Sequence, residues 1–291
     1  MNRAYIEISN ACNLSCTFCP SPSIKGFRQW MSQERFERTL DSLQGVVDQV
    51  YLHVLGEPLL HPELEAFIEA CAERDLRVNL TTNGLLIAKH AQMLLNAQTL
   101  RQINFSVHAL EELPQTEDAL IALDNSLTFT QLAKETRPDL YINLRLWNEG
   151  ESQSESLADW NRQVRQHMEK ILQIEIPDRP FTPRKKNYGL GGRAFLHSDT
   201  RFEWPADSQQ AEARPHGTCK ALETHCAILA DGRIVACCLD YKGNLEIGHI
   251  DKGGVQAALN SVRARAIREG FARNELVESF CQRCQFCKRF G

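Results

Sequence analysis

The sequence has no long apolar run and no pattern of a secretory leader. Nowhere in its 291 residues do about 18 apolar residues follow one another, the length at which a membrane-spanning helix becomes a candidate. The chain passes from Met1 directly into a strand-like segment at residues 4–9, without the apolar core and small-residue cleavage site of a signal peptide. We therefore expect a cytoplasmic protein without a membrane partner.

The sequence also lacks a strong charge bias. Its formal net charge is −4, and its apolar share of 43% and charged share of 24% are typical of a globular protein. Such a balance offers no general attraction to nucleic acid. Repeats and low-complexity segments are absent as well, and the length suits one large domain with a smaller one.

Cysteine, in contrast, is abundant, with 11 residues. Disulfides are rare in a reducing cytoplasm, so the grouped cysteines predict metal or cluster ligation. Cys71 is the exception, because it lies alone in an apolar helical stretch and is expected to be a small core residue.

The first group comprises Cys12, Cys16 and Cys19, which form a C-x3-C-x2-C pattern. A [4Fe–4S] cluster is normally held by four cysteines, so three would leave one iron open to a substrate or cofactor. A zinc site is the alternative. Zinc prefers four tetrahedral ligands, and no fourth cysteine or histidine follows within this loop.

This pattern, with Phe18 just before the last cysteine, resembles the signature of the radical S-adenosylmethionine (SAM) enzymes. The resemblance implies that the open iron binds the amino and carboxylate groups of SAM, and that Phe18 lies near the adenine. It also implies that one electron splits SAM into methionine and a 5′-deoxyadenosyl radical, which abstracts hydrogen from a substrate. An electron donor such as flavodoxin or ferredoxin would then be a partner.

The first half of the chain alternates short apolar runs with helical patterns, which predicts βα units around a parallel sheet. Six strands are predicted, at residues 4–9, 50–55, 77–81, 102–108, 141–148 and 171–176. Five amphipathic helices lie between them, at residues 32–43, 62–74, 87–96, 118–134 and 156–170. This count fits the α/β fold that the resemblance implies, a partial (β/α)6 TIM-like barrel over residues 1–176. In such barrels the active residues gather at the carboxyl ends of the strands.

Polar residues stand at those strand ends. Gly56 and Glu57 follow the second strand in a segment that resembles the family's Gly-Gly-Glu-Pro motif with its first glycine replaced, and the resemblance assigns them to the SAM amino group. A plain turn before the next helix is the alternative. Asn83 comes just after the third strand and Ser106 stands near the end of the fourth, where family members often carry residues close to the SAM ribose and carboxylate.

Alternation along the strands adds a prediction of its own. Successive side chains point to opposite faces of a strand, and the polar residues share one parity. We therefore expect a polar, open barrel interior that binds SAM and a polar substrate. Arg145 is assigned to SAM or substrate binding as a candidate for a carboxylate, because a guanidinium can bind two oxygens. The residues of this parity are Tyr51, His53, Asn79, Thr81, Asn104, Ser106, His108, Asn143, Arg145 and Trp147.

Residues 177–215 are rich in proline, glycine and cationic side chains, and predict a bridge after the barrel. A solvated linker is the default interpretation of such charges. A lid that contacts the substrate is the alternative.

The last third carries seven more cysteines. Two apolar runs surround Asp231-Gly232 and predict a β-hairpin, because glycine tolerates the positive φ of a tight turn. The hairpin would return the chain so that Cys237 approaches Cys219. The seven are Cys219, Cys226, Cys237, Cys238, Cys281, Cys284 and Cys287.

The order Cys219-x12-Gly232-x4-Cys237, a helical stretch at 256–270 and then Cys281-x2-Cys284 resembles the SPASM/twitch extension of radical SAM enzymes. The resemblance implies a small α+β domain over residues 216–291 that binds an auxiliary cluster. We predict one auxiliary [4Fe–4S] cluster on Cys219, Cys237, Cys281 and Cys284, and zinc on the same thiolates is the alternative. Cys226 is expected to be buried, Cys238 to point away from Cys237, and Cys287 could replace Cys281 or Cys284.

The sequence thus predicts a radical SAM enzyme, with a peptide or protein side chain as the leading substrate. A small metabolite is the second possibility. A non-enzymatic iron–sulfur or zinc protein, used for electron transfer or sensing, is the hypothesis from another class.

Overall fold

A computed structural model describes residues 1–23, 29–149, 155–177, 186–201, 203–207 and 211–289. The chain divides into two compact units. The first comprises Met1–Cys12, Phe18–Val78 and Phe202–Gly291, and the second comprises Asn13–Thr17 and Asn79–Arg201.

The described residues form ten strands and eight α-helices. The strands are β1 (Arg3–Ile6), β2 (Gln49–Tyr51), β3 (Arg77–Thr82), β4 (Leu100–Phe105), β5 (Tyr141–Leu146), β6 (Asn187–Gly189), β7 (Ala194–Ser198), β8 (His225–Ile228), β9 (Arg233–Val235) and β10 (Glu246–His249). The helices are α1 (Gln33–Leu43), α2 (Leu64–Ala72), α3 (Ile87–Asn96), α4 (Thr116–Thr136), α5 (Glu155–Leu172), α6 (Gly254–Leu259), α7 (Val262–Ala272) and α8 (Ser279–Arg283).

In the first unit the strands follow the order β10-β9-β8-β1-β2. β1 pairs in parallel with both β2 and β8, and β8, β9 and β10 continue as antiparallel neighbours. The predicted hairpin is confirmed as β8 and β9, with Gly232 at φ +94° in its turn. Aromatic packing of α1 on α2 forms part of the core, where Phe36 and Phe67 stack with ring centroids 4.0 Å apart and are fully buried.

In the second unit the order is β3-β4-β5-β7-β6, with β5 parallel to both β4 and β7, and β6 antiparallel to β7. The predicted strand at 171–176 is wrong. α5 continues through Leu172, and beyond it the backbone N–H of Ile176 donates to the Glu169 carboxylate at 2.8 Å. The parallel strand after β5 is β7, which lies within the predicted bridge.

The first five predicted strands and the five predicted helices are present, with ends that differ by a few residues. The predicted helical stretch at 256–270 divides into α6 and α7, between which Ser261 caps α7 by accepting from the backbone N–H of Ala264. Among the helices within the described ranges, none is both long enough and apolar enough to cross a bilayer.

Candidate active site

The approach to the cysteine loop is fixed by backbone contacts within the first unit. The Glu57 N–H donates to the carbonyl oxygen of Ala11 at 2.8 Å, and the Ala11 N–H donates to Ser9 Oγ at 2.9 Å. Gly56 has φ +76°, and a Cβ on it would stand 2.3 Å from the Ser9 carbonyl oxygen and 2.9 Å from that of Ala11. Only glycine fits so close to another backbone. Gly56 and Glu57 therefore clamp the chain immediately before Cys12.

The Glu57 side chain is buried and has a local partner. Its carboxylate accepts the backbone N–H of Leu59 at 3.0 Å and caps the short 3-10 turn at Pro58–Leu60. The carboxylate thus orders the turn that follows the second strand. The assignment of Gly56 and Glu57 to SAM stays a prediction.

The three thiols of this loop suit cluster binding. Cys16 is buried, Cys12 and Cys19 are half-buried, and none of them forms a disulfide. The Cys19 thiol lies 3.3 Å from Ser21 Oγ. Three thiols within one short loop, none of them in a disulfide, match the donor chemistry of a [4Fe–4S] cluster that has one iron without a protein ligand. The residues therefore fit the group that the sequence predicts.

The middle of the loop is anchored within the second unit. Asn83, after β3, donates from Nδ2 to Asn13 Oδ1 at 2.8 Å and accepts the Leu85 N–H at 3.1 Å. Thr17, between the second and third cysteines, donates to Glu112 Oε1 at 2.6 Å. Asn83 thus supports the loop directly, and its contact with SAM stays a prediction.

Polar residues of one parity do share a face in the second unit, as predicted. Asn104 on β4 is fully buried, and its Oδ1 accepts from Gln102 at 2.8 Å and from Asn143 of the neighbouring strand at 3.0 Å. Its Nδ2 donates to the Leu80 carbonyl oxygen at 2.9 Å. Ser106, the residue after β4 with its side chain half-buried, donates its N–H to the Thr82 carbonyl oxygen at 2.8 Å. The openness of this interior and the role of Ser106 stay predictions.

The end of β5 carries a cationic and aromatic group. The Arg145 guanidinium lies 4.6 Å from the Trp147 ring centroid, and Trp147 Nε1 donates to His197 Nδ1 on β7 at 2.9 Å. His108 lies nearly parallel to the Trp147 ring at 6.3 Å. Burial is the main cause that lowers the pKa of His108 to about 4; the charges of Arg145 and Arg201 act in the same direction, and the hydrogen bond to the Arg145 carbonyl oxygen opposes them. His108 is therefore neutral near pH 7.

The predicted auxiliary cysteines come together in the first unit. Burial, together with the nearby thiol of Cys237, raises the pKa of Cys219 to about 12. Burial and then Cys237 and Cys219 also raise the pKa of Cys281 well above its ordinary value. Each thiolate in this group opposes ionisation of the others, so a cationic metal centre would favour all of them at once. The donor set fits an auxiliary cluster.

Cys287 belongs to the same group. Its Sγ lies 3.0 Å from Arg214 Nη2 and 3.0 Å from the Cys284 carbonyl oxygen. The hydrogen bond from Cys284 and the charge of Arg214 lower the pKa of Cys287 to about 6, while the same bond raises the pKa of Cys284. Cys287 therefore lies in direct contact with Cys284 and with a cation.

The expectation that Cys238 points away from Cys237 is wrong. Side-chain atoms of His225, Cys237 and Cys238 all lie within 4.8 Å of one another. β9 ends at Val235, so strand alternation no longer applies two residues later. The hydrogen bond with Cys238, followed by burial, raises the pKa of Cys237. Cys226 and Cys71 are fully buried, as predicted.

Sequence reasoning missed His225, Arg214, His197 and the Thr17 to Glu112 contact. His225 carried one usable signal, because it opens the strand-like run before the hairpin, next to Cys226. The partners of the other three lie at least 50 residues away along the chain, so no local spacing joins them.

The comparisons with known proteins match this arrangement. Residues 6–139 match the Radical SAM superfamily, and residues 219–285 match the iron–sulfur cluster-binding domain called SPASM. The chain belongs to the radical SAM superfamily. The two matches indicate that this radical SAM protein binds [4Fe–4S] clusters and SAM, which confirms the cofactor types expected from the cysteine motifs.

One similar curated protein is the GTP 3′,8-cyclase of Thermodesulfovibrio yellowstonii, which is 34% identical over 115 residues. The match covers 37% of this chain and 35% of that protein, so the chain matches about a third of the relative's length.

Two solved structures share the fold over nearly the whole chain. BtrN in complex with AdoMet and 2-DOIA has a TM-score of 0.55 at 13% identity, covering 98% of this chain and 92% of BtrN. Native anSMEcpe with bound AdoMet and Cp18Cys peptide has a TM-score of 0.58 at 14% identity, covering 98% of this chain and 87% of anSMEcpe. With the SPASM match, these likenesses confirm the predicted partial (β/α)6 barrel with a SPASM/twitch-like C-terminal domain.

Proposed function

We propose that this protein is a radical SAM enzyme that abstracts a hydrogen atom from its substrate. The observation that carries the proposal is the loop of three thiols outside any disulfide, clamped by Gly56 and Glu57 before Cys12 and anchored through Asn13 and Thr17. A loop fixed before its first cysteine and again between its cysteines suits a cluster whose fourth iron must stay open.

Each residue has a role in this proposal. Cys12, Cys16 and Cys19 hold the catalytic cluster, and Gly56, Glu57, Asn83 and Ser106 orient SAM, with Phe18 near the adenine. When bound, the cluster and SAM supply a 5′-deoxyadenosyl radical, which removes hydrogen from the substrate. Asn83 both contacts SAM and keeps the cysteine loop in position through Asn13.

One auxiliary [4Fe–4S] cluster is proposed on Cys219, Cys237, Cys281 and Cys284. Mutual pKa shifts among these thiols support a shared centre. Cys287 is the alternative to Cys281 or Cys284, since its Sγ lies 3.8 Å and 3.0 Å from the carbonyl oxygens of those two residues. A cytoplasmic flavodoxin or ferredoxin would reduce the protein.

A peptide or protein side chain is the leading substrate class. The likeness to anSMEcpe, whose structure contains a peptide, supports this choice. A small metabolite is the second candidate, supported by the local identity to a GTP 3′,8-cyclase and by the likeness to BtrN with 2-DOIA.

The test is SAM cleavage by the anaerobically reconstituted and reduced protein. We expect release of 5′-deoxyadenosine and methionine, measured by chromatography and mass spectrometry. A variant with Cys12, Cys16 and Cys19 all replaced by Ala is the control and should release neither. Absence of both products from wild-type protein with intact clusters would favour an electron carrier or sensor instead.

A further inference from the structure

Three side chains of the first unit, His225, Cys237 and Cys238, form a set named here the His-Cys-Cys group. Their ligand atoms, one nitrogen and two sulfurs, all lie within 4.8 Å of one another, and all three residues are half-buried. Two thiolates and an imidazole are a donor set for a thiophilic divalent ion such as zinc(II) or iron(II). Partial exposure lets such an ion reach them from solvent.

The spacing of the His-Cys-Cys group suits one ion better than a cluster. Zinc holds sulfur at about 2.3 Å, so two sulfurs on one ion lie at most about 4.6 Å apart. A cubane binds each thiolate through a different iron, which sets its cysteines farther apart. Within the described residues, neither the three cysteines of the first loop nor any three of the four assigned to the auxiliary cluster bring their sulfurs as close as the His-Cys-Cys group does. A single ion would therefore favour this group.

Backbone contacts fix both halves of the His-Cys-Cys group. His225 opens β8, where it pairs in register with Arg3 of β1. Cys237 and Cys238 lie in a tight turn, which the Asp240 N–H closes by donating to the Cys237 carbonyl oxygen at 3.1 Å. The ligand atoms are therefore held close together before any ion binds, which reduces the entropy lost on binding.

Thr224 orients the imidazole of the group. His225 Nδ1 lies 3.0 Å from Thr224 Oγ1, which leaves Nε2 as the nitrogen for the two sulfurs. A hydroxyl can either accept or donate. When it accepts from Nδ1, Nε2 has the lone pair that a metal needs, and when it donates to Nδ1, Nε2 carries a proton for a sulfur. His225 can thus act as a metal ligand or as a hydrogen-bond donor.

Cys237 belongs to two sets of ligands. It is part of the His-Cys-Cys group and one of the four cysteines proposed for the auxiliary cluster. Its Sγ accepts the Leu239 N–H at 3.4 Å, which favours the thiolate in either set. A terminal thiolate binds one centre at a time, so the two sets exclude each other.

We propose that His225, Cys237 and Cys238 bind one thiophilic divalent cation while the auxiliary cluster is absent, and that Cys237 leaves this site when the cluster is present. Each thiol releases its proton to solvent as the ion binds, and no electron is transferred. This inference rests on the proposed function only in the sharing of Cys237 with the cluster.

The test uses the full-length protein with Cys12, Cys16 and Cys19 replaced by Ala, freed of iron by a chelator and kept reduced. One equivalent of zinc(II) is added, and X-ray absorption at the zinc edge counts the sulfur and nitrogen neighbours of the ion. We expect two sulfurs and one imidazole nitrogen, and loss of that nitrogen in His225→Phe. Four sulfurs without imidazole would place the ion on the four cysteines and overturn the inference.

Cobalt(II), whose thiolate complexes are coloured, measures the affinity of the same iron-free protein. His225→Phe and Cys238→Ala should each weaken cobalt binding at least tenfold, because each removes one of three ligands. Cys226→Ala is the matched control, since it removes a fully buried thiol next to His225 that lies outside the group, and it should change the affinity less than twofold. Unchanged affinity in His225→Phe and Cys238→Ala would overturn the inference.

Displacement of the bound cobalt identifies the ion. Displacement by iron(II) as well as zinc(II) marks an iron site, and displacement by zinc(II) alone marks a zinc site. Displacement by neither would contradict the proposal.

Reconstitution of the same protein separates this inference from the proposed function. About four irons per chain would show that the auxiliary cluster is present, and cobalt should then bind at least tenfold more weakly because Cys237 is engaged. Equal cobalt affinity with four irons bound would refute the sharing of Cys237. Fewer irons would count against the proposed cluster, whereas the titration of iron-free protein needs no cluster. Circular dichroism shows whether each variant folds, and His225→Gln replaces His225→Phe if the latter does not.

Discussion

At the scale of single residues, Gly56 controls the geometry of the cysteine loop. An alanine there would combine a positive φ with a Cβ 2.3 Å from the Ser9 carbonyl oxygen. We expect Gly56→Ala to lower the free energy of unfolding by roughly 2–5 kcal/mol, since strain and steric overlap add. Urea-induced unfolding measures this loss, and SAM cleavage should fall with it.

Gly45 provides the control for that prediction. It has φ +70°, close to that of Gly56, but a Cβ on it would meet no atom within 4 Å. Gly45→Ala should therefore lower the free energy of unfolding only through the strain of a positive φ, by about 1–2 kcal/mol. Equal losses in the two variants would show that contact with Ser9 is not the cause.

Glu7 gives a pH-dependent prediction. It is buried after β1, and burial raises its pKa from 4.5 to about 7, although the backbone N–H groups of Ala230 and Leu55 lower it in part. The folded protein therefore binds a proton here that the unfolded chain releases above pH 4.5. The contribution of Glu7 to the free energy of unfolding is fully present below pH 4.5. It falls by about 3 kcal/mol as the pH rises to 7.

The measurement compares wild type with Glu7→Gln, because the contribution of His108 to stability changes with pH in the opposite direction to that of Glu7. The pKa of His108 is lowered from 6.5 to about 4, so its contribution is present above pH 6.5 and is lost as the pH falls to 4. The two slopes oppose each other in the wild type. Subtracting the unfolding free energy of Glu7→Gln from that of the wild type at each pH isolates the contribution of Glu7. A difference that stays constant between pH 4.5 and 7 would contradict the argument from burial.

At the scale of elements, the turn after β9 brings Cys237 and Cys238 beside His225, the first residue of β8. A hydrogen bond from His225 to Cys237 would favour the reduced, more negative state of an auxiliary cluster on that thiolate. We therefore expect His225→Phe to lower the midpoint potential of that cluster, measured by a redox titration followed by electron paramagnetic resonance. Phenylalanine keeps the ring that contacts Tyr5 edge to face at 5.6 Å.

Tyr5→Phe is the companion control for His225→Phe. It keeps the same ring contact and removes only the phenolic hydroxyl group, so the midpoint potential of the auxiliary cluster should stay as in the wild type. A potential that His225→Phe leaves unchanged would refute the hydrogen bond to the cluster ligand.

The elements also show how far the sequence could predict the fold. Long helices such as α4 and strands such as β3 were predicted because many residues repeat one period. The strand placed at 171–176 failed because Leu172 at the end of α5 and Ile176 beyond it are buried apolar residues, and so short an apolar run looks the same as a strand. β7 and β10 were missed because five and four residues carry little periodicity.

The residues of the candidate site also differ in how well the sequence could predict them. The spacing of Cys12, Cys16 and Cys19 is local, so a single stretch of sequence predicted their chemistry. Cys238 was misplaced because alternation was extended past the end of β9. Arg214 and Cys287 meet only through tertiary structure, which no spacing rule describes.

At the scale of the whole molecule, the prediction is the amount of iron. Two cubane clusters require about eight irons per chain, four in each. Anaerobic reconstitution followed by iron analysis should give this value, and the triple replacement of Cys12, Cys16 and Cys19 by Ala should give about four while the auxiliary absorbance remains.

Two other outcomes would contradict that count. About twelve irons would mean that Cys226, Cys238 and Cys287 build a further cluster. About four irons with one bound zinc in the wild type would show that the C-terminal cysteines bind zinc and not a cluster.

The parallel pairing of β1 with β8 has a consequence during synthesis on the ribosome. Arg3 pairs with His225, more than 200 residues further along, so one edge of β1 has no partner until β8 has been translated. At about 5–20 residues per second this takes roughly ten to forty seconds. An exposed strand edge can pair with other chains in that interval. The nascent chain is therefore expected to need a chaperone until its last quarter emerges, and iron delivery to the first cysteines would best follow that moment.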